Sequence, residues 1–334
     1  MNISFCGAGQ FGFALLKHLE RKYEEDTTVS LLTFDVDQPL RDSLKNQHKH
    51  AYLDGPNSFI SEKVIVCDTI TELISQADIL VLAVNSAAIK SVYDEIKRLN
   101  KQNLKIVNVA KALDDNGLPY SMTATAQLQG INYHYAALVG GSIATDLLEA
   151  NPLGLTLATE DREIAIELAQ VFENGALKVY PETDLIGVQL ASALKNVISL
   201  MGGLVEGVGY SYGTMTYMIV SAAKEIADFA VKAYGAKPET YGMFTQHWGN
   251  DMWMSATGPT RNHKFGVLIG QGKTHEEAFS EMQTKTVESL YTLQGMCKSP
   301  AFNDLVIIKE LYEIFIAKTK LPEQFKEFIL AHKF

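Results

Sequence analysis

Short apolar runs and amphipathic stretches alternate through the first half of the chain, and the second half carries helical patterning almost throughout. The run Met1–Cys6 reads as a first strand, followed by a helix over Phe13–Lys22. Further strands are predicted at Val29–Phe34, Lys63–Cys67, Ile79–Val84, Lys105–Ala110, Tyr133–Val139, Leu153–Ala158 and Lys178–Tyr180. Ile79–Val84 is continuously apolar, the signature of a strand buried on both faces. Asp68 and Thr69 suit the N-cap of a helix through Ser75, and Asn85 or Ser86 that of a helix over Ala87–Leu99. Strands alternating with helices imply crossover units and a mainly parallel sheet. From Asp184 onward the pattern predicts helices over Leu185–Met201, Met215–Tyr234, His275–Met296 and Asp304–Ile316. The division is an α/β domain over 1–183 and an all-helical domain over 184–334. No Pro/Ser-rich linker, internal repeat or low-complexity tract interrupts it.

The turn after the first strand adds chemistry to this outline. Gly7-Ala-Gly9-Gln10-Phe11-Gly12 matches G-x-G-x-x-G in the strand–turn–helix setting that a dinucleotide fingerprint requires. Gly7 permits the tight turn, Gly9 lets backbone approach a pyrophosphate, and Gly12 lets helix pack on strand. The helix N-terminus offers N–H groups and a positive dipole end to phosphate. Asp35 or Asp37, at the end of the second strand, is placed to bond the adenosine ribose and repel a 2′-phosphate, which favours NAD over NADP.

Composition narrows the field. A length of 334 residues suits two domains. The net charge of −10 argues against a nucleic-acid binder, although a small anionic substrate needs only a local basic patch. Cys6, Cys67 and Cys297 read as reduced, packing thiols of a cytoplasmic protein. No secretory leader and no run of about 20 apolar residues is evident, so neither export nor a membrane span is expected. No C-x-x-C, H-E-x-x-H or P-loop occurs, and metal-dependent, serine-type and NTP hydrolysis are not expected. No metal site is foreseen.

Polar residues in apolar surroundings mark candidate chemistry. The predicted helix Leu185–Met201 is apolar nearly all round, which implies burial, yet Lys195 and Asn196 interrupt it. Such a lysine either has a function or snorkels out at a domain edge. Ser192 and Ser199 lie at i−3 and i+4 from it, so a polar stripe could face a cleft. Lys111 stands at the carboxyl end of a predicted parallel strand, where ligands of open α/β sheets bind, and there it competes with an ordinary solvated loop lysine. The segment Trp248–Gly266, read as a loop, gathers Asp251, Ser255, Arg261, Asn262 and His263. The planar fork of Arg261 suits phosphate or carboxylate capture, whereas His263 reads as loop surface.

The segments Gly7–Gly12, Ala83-Val-Asn-Ser86, Val109-Ala-Lys111, Gly140-Gly-Ser-Ile-Ala144, Gly187–Ile198 and Thr260-Arg-Asn-His-Lys-Phe-Gly266 together resemble the NAD(P)-dependent glycerol-3-phosphate dehydrogenase family. The resemblance runs to about residue 290. It implies a Rossmann domain joined to a helical domain of the 6-phosphogluconate-dehydrogenase type, a small phosphorylated substrate, and a homodimer. By the same resemblance Lys195 would donate the proton to the C2 alkoxide as dihydroxyacetone phosphate is reduced. Lys111 and Asn196 would polarise the carbonyl, and Asp251 would orient the lysine. Arg261 and Asn262 would grip the phosphate, with Ser255 and Ser142 also at the substrate. Gly7, Gly9, Gln10, Phe11, Gly12, Asp35, Asn85, Lys111, Ala144 and Arg261 would hold the cofactor, with Glu288 at its nicotinamide end. The chain departs from the family pattern in Gly213–Ala222, which lacks a lysine and an arginine, and at Trp248–Asp251. A related dehydrogenase for another small anionic oxo-substrate, or a non-catalytic NAD(H)-binding protein, are the competing readings.

Overall fold

In a computed structural model that describes residues 1–284 and 286–334, the chain divides into two compact units. The first comprises Met1–Ala110 and Tyr120–Leu185; the second comprises Lys111–Pro119 and Ile186–Phe334.

The first unit is built on eight strands: β1 Asn2–Cys6, β2 Ser30–Phe34, β3 Ile65–Val66, β4 Ile79–Leu82, β5 Leu104–Asn108, β6 Tyr133–Val139, β7 Leu153–Ala158 and β8 Leu177–Glu182. They form one sheet in the order β3-β2-β1-β4-β5-β6-β7-β8, with only the β6–β7 pair antiparallel. The mainly parallel α/β sheet read from the pattern therefore holds. Strand order reverses between β1 and β4, whose last residues Cys6 and Leu82 stand in register. The loops after these two strands thus flank the switch point at which α/β sheets bind ligands. The helices are α1 Gln10–Lys22, α2 Gln38–Gln47, α3 Ile70–Gln76, α4 Ile89–Leu99, α5 Tyr120–Gln127, α6 Ala144–Leu148 and α7 Arg162–Phe172. Ile3, Phe5, Phe13, Leu16, Val81 and Leu138 lie in the core of this unit.

Several boundaries differ from the pattern. α1 begins at Gln10, not Phe13, because Gly9 adopts the extended N-cap conformation and Phe13 N–H already bonds to its carbonyl. β5 stops at Asn108, whose side chain turns back to accept from the N–H of Ala110. A short 3-10 turn over Ser86–Ala88 precedes α4, and Asn85 supplies no side-chain cap there. Thr69 does cap α3, accepting from Glu72 N–H. Helices α2, α5, α6 and α7 were not foreseen, although Asp37 and Asp161 cap α2 and α7.

The second unit contains α8 Leu185–Gly207, α9 Tyr212–Tyr234, α10 Asp251–Thr257, α11 Arg261–Gly270, α12 His275–Met282, α13 Glu288–Met296, α14 Ile307–Phe315 and α15 Gln324–Ala331. The helix expected over His275–Met296 is two helices. α12 ends where Gln283 turns left-handed at φ 51°, and Lys285, inside the predicted span, lies outside the described residues. The Trp248–Gly266 region is not a loop: it forms a π-turn over Gln246–Asn250, then α10 and the start of α11. α8 is long and apolar enough to cross a membrane by length and composition, contrary to expectation, but 94% of its apolar window is buried within the protein. A G-x-S-x-G string does occur at Gly209–Gly213, but it joins two helices and Ser211 is simply the N-cap of α9. The strand-to-helix elbow of serine hydrolases is not formed there.

α8 and α11 cross at backbone distance. A Cβ on Gly203 would lie 2.0 Å from the His263 carbonyl oxygen, one on Gly266 2.1 Å from that of Leu200, and one on Gly207 2.3 Å from that of Val267. Glycines four apart on both helices therefore leave no side chain between them. This contact presses α11 against the half of α8 that follows Lys195, with the start of α11 nearest Gly203.

Candidate active site

Lys195 does not snorkel. It is 4% exposed, and its ammonium donates to Asp251 Oδ1 at 2.6 Å and to Ser255 Oγ at 2.5 Å. Asp251 and Ser255 are one helical turn apart on α10 and both are buried, so they present to the same side of that helix. The π-turn before α10 sets its entry. Gly249 packs so tightly that a Cβ would lie 1.9 Å from the Met243 carbonyl, and the Trp248 ring sits edge-on to Tyr241 at 5.1 Å. Ser199, one turn along α8, donates to the Ser255 carbonyl at 2.5 Å and meets Thr260 Oγ1 at 2.9 Å. It ties α8, α10 and the α11 cap together and does not line a cleft. Thr260 in turn caps α11 by accepting from His263 N–H. Ser192 is fully buried, and its hydroxyl has no hydrogen bond among the described residues.

Burial disfavours the charged amine and is the largest influence on Lys195. Asp251 pulls in the opposite sense and Lys111 adds to the lowering, leaving the pKa at about 8. The cluster is therefore a buried ammonium, held by a carboxylate, that exchanges its proton close to neutral pH. Lys111 is the second cation: its Nζ lies 3.1 Å from Asp251 Oδ2. One buried carboxylate thus faces two amines.

A chain of amides runs beside this cluster. Asn196 Nδ2 donates to the Lys111 carbonyl at 3.3 Å, Asn262 Nδ2 donates to Asn196 Oδ1 at 3.1 Å, and Ser289 N–H donates to Asn262 Oδ1 at 3.1 Å. Each asparagine keeps one N–H beyond these contacts. Arg261 opens α11 with its guanidinium 61% exposed, 3.3 Å from Glu288 Oε1 at the start of α13. His263 is buried and meets Glu206 at 2.9 Å, so it is a packing residue of α11 and not loop surface.

Lys111 reaches this cluster because the segment it opens folds with the helical unit. Tyr234 OH donates to the Gly117 carbonyl at 3.1 Å, and Lys298 bonds to the carbonyl of Asp115. Gly117, at φ +77°, lies so close to Gly295 that a Cβ would meet its carbonyl oxygen at 2.3 Å.

The second unit therefore brings together Lys111, Lys195, Asn196, Asp251, Ser255 and Asn262, with Arg261 and Glu288 as a neighbouring ion pair. The remaining sequence candidates belong to the first unit. Ser142 follows β6, its hydroxyl 3.4 Å from the Gly140 carbonyl, and Ala144 opens α6. Asn85 is exposed after β4.

The glycine loop fits a dinucleotide. Gly7 takes φ +101°, and a Cβ there would lie 2.5 Å from the Ala83 carbonyl; at Gly12 it would lie 2.4 Å from the Gly7 carbonyl. At Gly9 a Cβ would meet nothing within 4 Å. Two glycines are thus consumed by packing and the middle one leaves open space. Among the described residues no hydrogen bond engages the N–H groups of Gly9, Gln10 and Phe11, and the first turn of α1 holds no acid. This is an anion cradle. Asp35 braces it, accepting from Ala8 N–H at 2.7 Å and from Asp37 N–H at 2.9 Å. Asp37 caps α2 and accepts from Tyr52 OH at 2.9 Å.

Sequence reasoning placed Ser199 on a polar stripe but not in its tie to α10 and α11, and it missed the roles of Thr260 and Ser289 and of His50 beneath the glycine loop. The glycines four apart at 203, 207, 266 and 270 were the available signal for the helix crossing.

Known proteins match along the whole chain. Residues 2–165 match the family described as NAD-dependent glycerol-3-phosphate dehydrogenase N-terminus, and residues 184–326 the corresponding C-terminus. A glycerol-3-phosphate dehydrogenase [NAD(P)+] of Fusobacterium nucleatum is 31% identical over 100% of this chain and 98% of its own. One from Haemophilus ducreyi is 29% identical over 93% and 91%. Among solved structures, the glycerol-3-phosphate dehydrogenase of Plasmodium falciparum superposes with a TM-score of 0.90 at 19% identity, covering 100% of this chain and 96% of that one. That of Coxiella burnetii gives 0.85 at 20%, covering 99% and 98%. These structures share the fold, and the match in sequence over both halves goes further: the chain belongs to the NAD-dependent glycerol-3-phosphate dehydrogenase family.

Proposed function

We propose that this protein interconverts dihydroxyacetone phosphate and glycerol 3-phosphate, with Lys195 as the general acid and base. The observation that carries the reading is the buried Lys195–Asp251–Ser255 cluster, with the amine brought near neutral pKa. A bound nicotinamide supplies or takes the hydride. In reduction, the Lys195 ammonium delivers its proton to the carbonyl oxygen as negative charge grows there. Asp251 orients the amine, and Ser255 fixes it from the other side. The Lys111 ammonium and the remaining Asn196 N–H polarise the carbonyl. Arg261 leaves its partner Glu288 to take the substrate phosphate in its fork, assisted by the spare Asn262 N–H; the family resemblance also assigns Ser142 to the substrate. By the family resemblance Lys111, Arg261 and Glu288 would also serve the cofactor, Glu288 at its nicotinamide end. The glycine loop with Gly7, Gly9, Gln10, Phe11 and Gly12 takes the pyrophosphate, while Asn85 and Ala144 border the cofactor. The carboxylates of Asp35 and Asp37 favour NAD over NADP.

The resemblance also supports a homodimer acting in the cytoplasm, in line with three free cysteines; light scattering of the purified protein checks the dimer. The function is tested by following NADH oxidation with dihydroxyacetone phosphate and with unphosphorylated dihydroxyacetone. Rapid turnover of the phosphate and very poor turnover of the triose is the expected result. Equal turnover of both removes the phosphate-clamp reading, and a kcat/KM favouring NADPH removes the NAD preference.

A further inference from the structure

The glycine loop is held from below by a residue outside its motif. His50 lies between α2 and β3, 1% exposed, with its ring edge-on to Phe13 of α1 at 4.8 Å. Its Nε2 is 2.9 Å from the Ala8 carbonyl oxygen, and its Nδ1 is 3.2 Å from the N–H of Tyr52. Because Nδ1 faces a donor, the ring is neutral with its hydrogen on Nε2, and that hydrogen points at Ala8. The charged groups nearest the ring are Asp35 and Asp37; burial nevertheless dominates and keeps the imidazole less basic than usual.

Ala8 is consequently clamped at both of its backbone groups, its N–H by Asp35 Oδ2 and its carbonyl by His50. A trans peptide is planar, and its C=O and the following N–H point in opposite directions. Among the described residues there is no cis bond, so fixing the Ala8 carbonyl toward His50 turns the Gly9 N–H away from it. Among the described residues the Gly9 N–H has no partner, and a Cβ on Gly9 would meet nothing within 4 Å. A carbonyl rotated the other way would present a repulsive oxygen to an arriving phosphate.

We propose that His50 is a positioning residue for cofactor binding: its Nε2–H locks the Ala8–Gly9 peptide with the N–H aimed at the pyrophosphate. Losing that donor leaves a buried carbonyl unsatisfied and frees the peptide to flip. The Lys49–Ile60 segment is thereby part of the dinucleotide site, anchored by the Lys49–Phe59 bridge and by the Ile60 N–H bonding to the His48 carbonyl. The inference rests on the dinucleotide reading of the glycine loop.

The test uses the full chain, two variants and NADH as the probe. His50→Asn keeps an acceptor near Tyr52 but cannot reach Ala8; His50→Gln carries its amide nitrogen to the Nε2 position. Direct titration of NADH fluorescence is expected to show affinity about tenfold weaker in His50→Asn and within about twofold of wild type in His50→Gln. At saturating NADH, kcat and the KM for dihydroxyacetone phosphate should move by less than about twofold. NADH binding unchanged in His50→Asn, or equally weakened in both variants, overturns the proposal. Nitrogen-15 NMR of wild-type His50 is the check that needs no variant: the Nε2–H tautomer is expected, and Nδ1–H overturns the proposal. Wild-type protein that binds no NADH at all instead overturns the underlying cofactor reading.

Discussion

The glycine loop and the lysine cluster do their binding by opposite means. The loop works through backbone N–H groups and missing side chains, within six consecutive residues and a brace from Asp35. The cluster works through side-chain charge, drawn from Lys111, from Lys195 and Asn196 on α8, from Asp251 and Ser255 on α10 and from Asn262 on α11. Backbone recognition can be written locally because glycine permits it directly. A buried amine near neutral pKa needs a carboxylate, a dry surround and a second cation, which only long-range packing assembles. A change in either region should therefore disturb one property and spare the other.

Lys195→Ala should be the harshest break, lowering kcat by about 10²–10⁴ while NADH still binds. Weak NADH binding by a folded Lys195→Ala protein would contradict the separation of the two regions. Arg261→Ala comes next. Losing a charge-assisted fork costs about 1.5–3 kcal/mol, or roughly 10–150-fold in kcat/KM for dihydroxyacetone phosphate. Dihydroxyacetone, which has no phosphate to lose, should be affected much less, and Arg261→Lys should recover only part of the activity. A silent Arg261→Ala would detach this residue from the substrate.

The pH profile sharpens the same contrast. Reduction requires the Lys195 ammonium, which is deprotonated as pH rises through about 8. Reductive kcat/KM should therefore fall about tenfold per pH unit above that value. Oxidation of the alcohol requires the free amine and should rise through the same range and then level. NADH affinity should show no matching step, and such a step would place the titrating group at the loop instead. The mildest change is Gly9→Ala. The backbone there, at φ −61° and ψ 176°, suits alanine, and nothing lies within 4 Å of the new methyl. Unfolding free energy should stay within about 0.5 kcal/mol, whereas NADH binding should weaken several-fold. Gly12→Ala should do the reverse first, costing about 1–3 kcal/mol because its methyl meets the Gly7 carbonyl at 2.4 Å. Equal stability losses in both would mean that Gly9 has no vacant side.

How far the sequence foretold each region follows from the same contrast. The strands and G-x-G-x-x-G were readable because buried parallel strands are uninterrupted apolar runs and the fingerprint is contiguous. Lys195 was conspicuous as a charge in an apolar helix. Asp251, Ser255 and Arg261 were picked out as a polar group, yet their segment was taken for a loop. Of its two helices α11 is capped locally by Thr260, but its docking on α8 through Gly266 is a contact that no local pattern expresses. The predicted helix His275–Met296 failed for a similar reason: Gln283 adopts a left-handed conformation with no glycine to announce it. His50 gave no signal, since its partners lie on Ala8, Phe13 and Tyr52.

The Lys111–Pro119 segment has a consequence for how this chain can be divided. It is joined at both ends to the first unit, yet it packs with the second. The helical unit is therefore discontinuous in sequence. A fragment cut after Thr183 would carry Lys195, Asp251 and Arg261 but not Lys111, and the socket around Gly295 would lack its occupant. The two halves are not exchangeable modules, and a chimaera with another dehydrogenase's sheet domain would need to bring a matching strap with it.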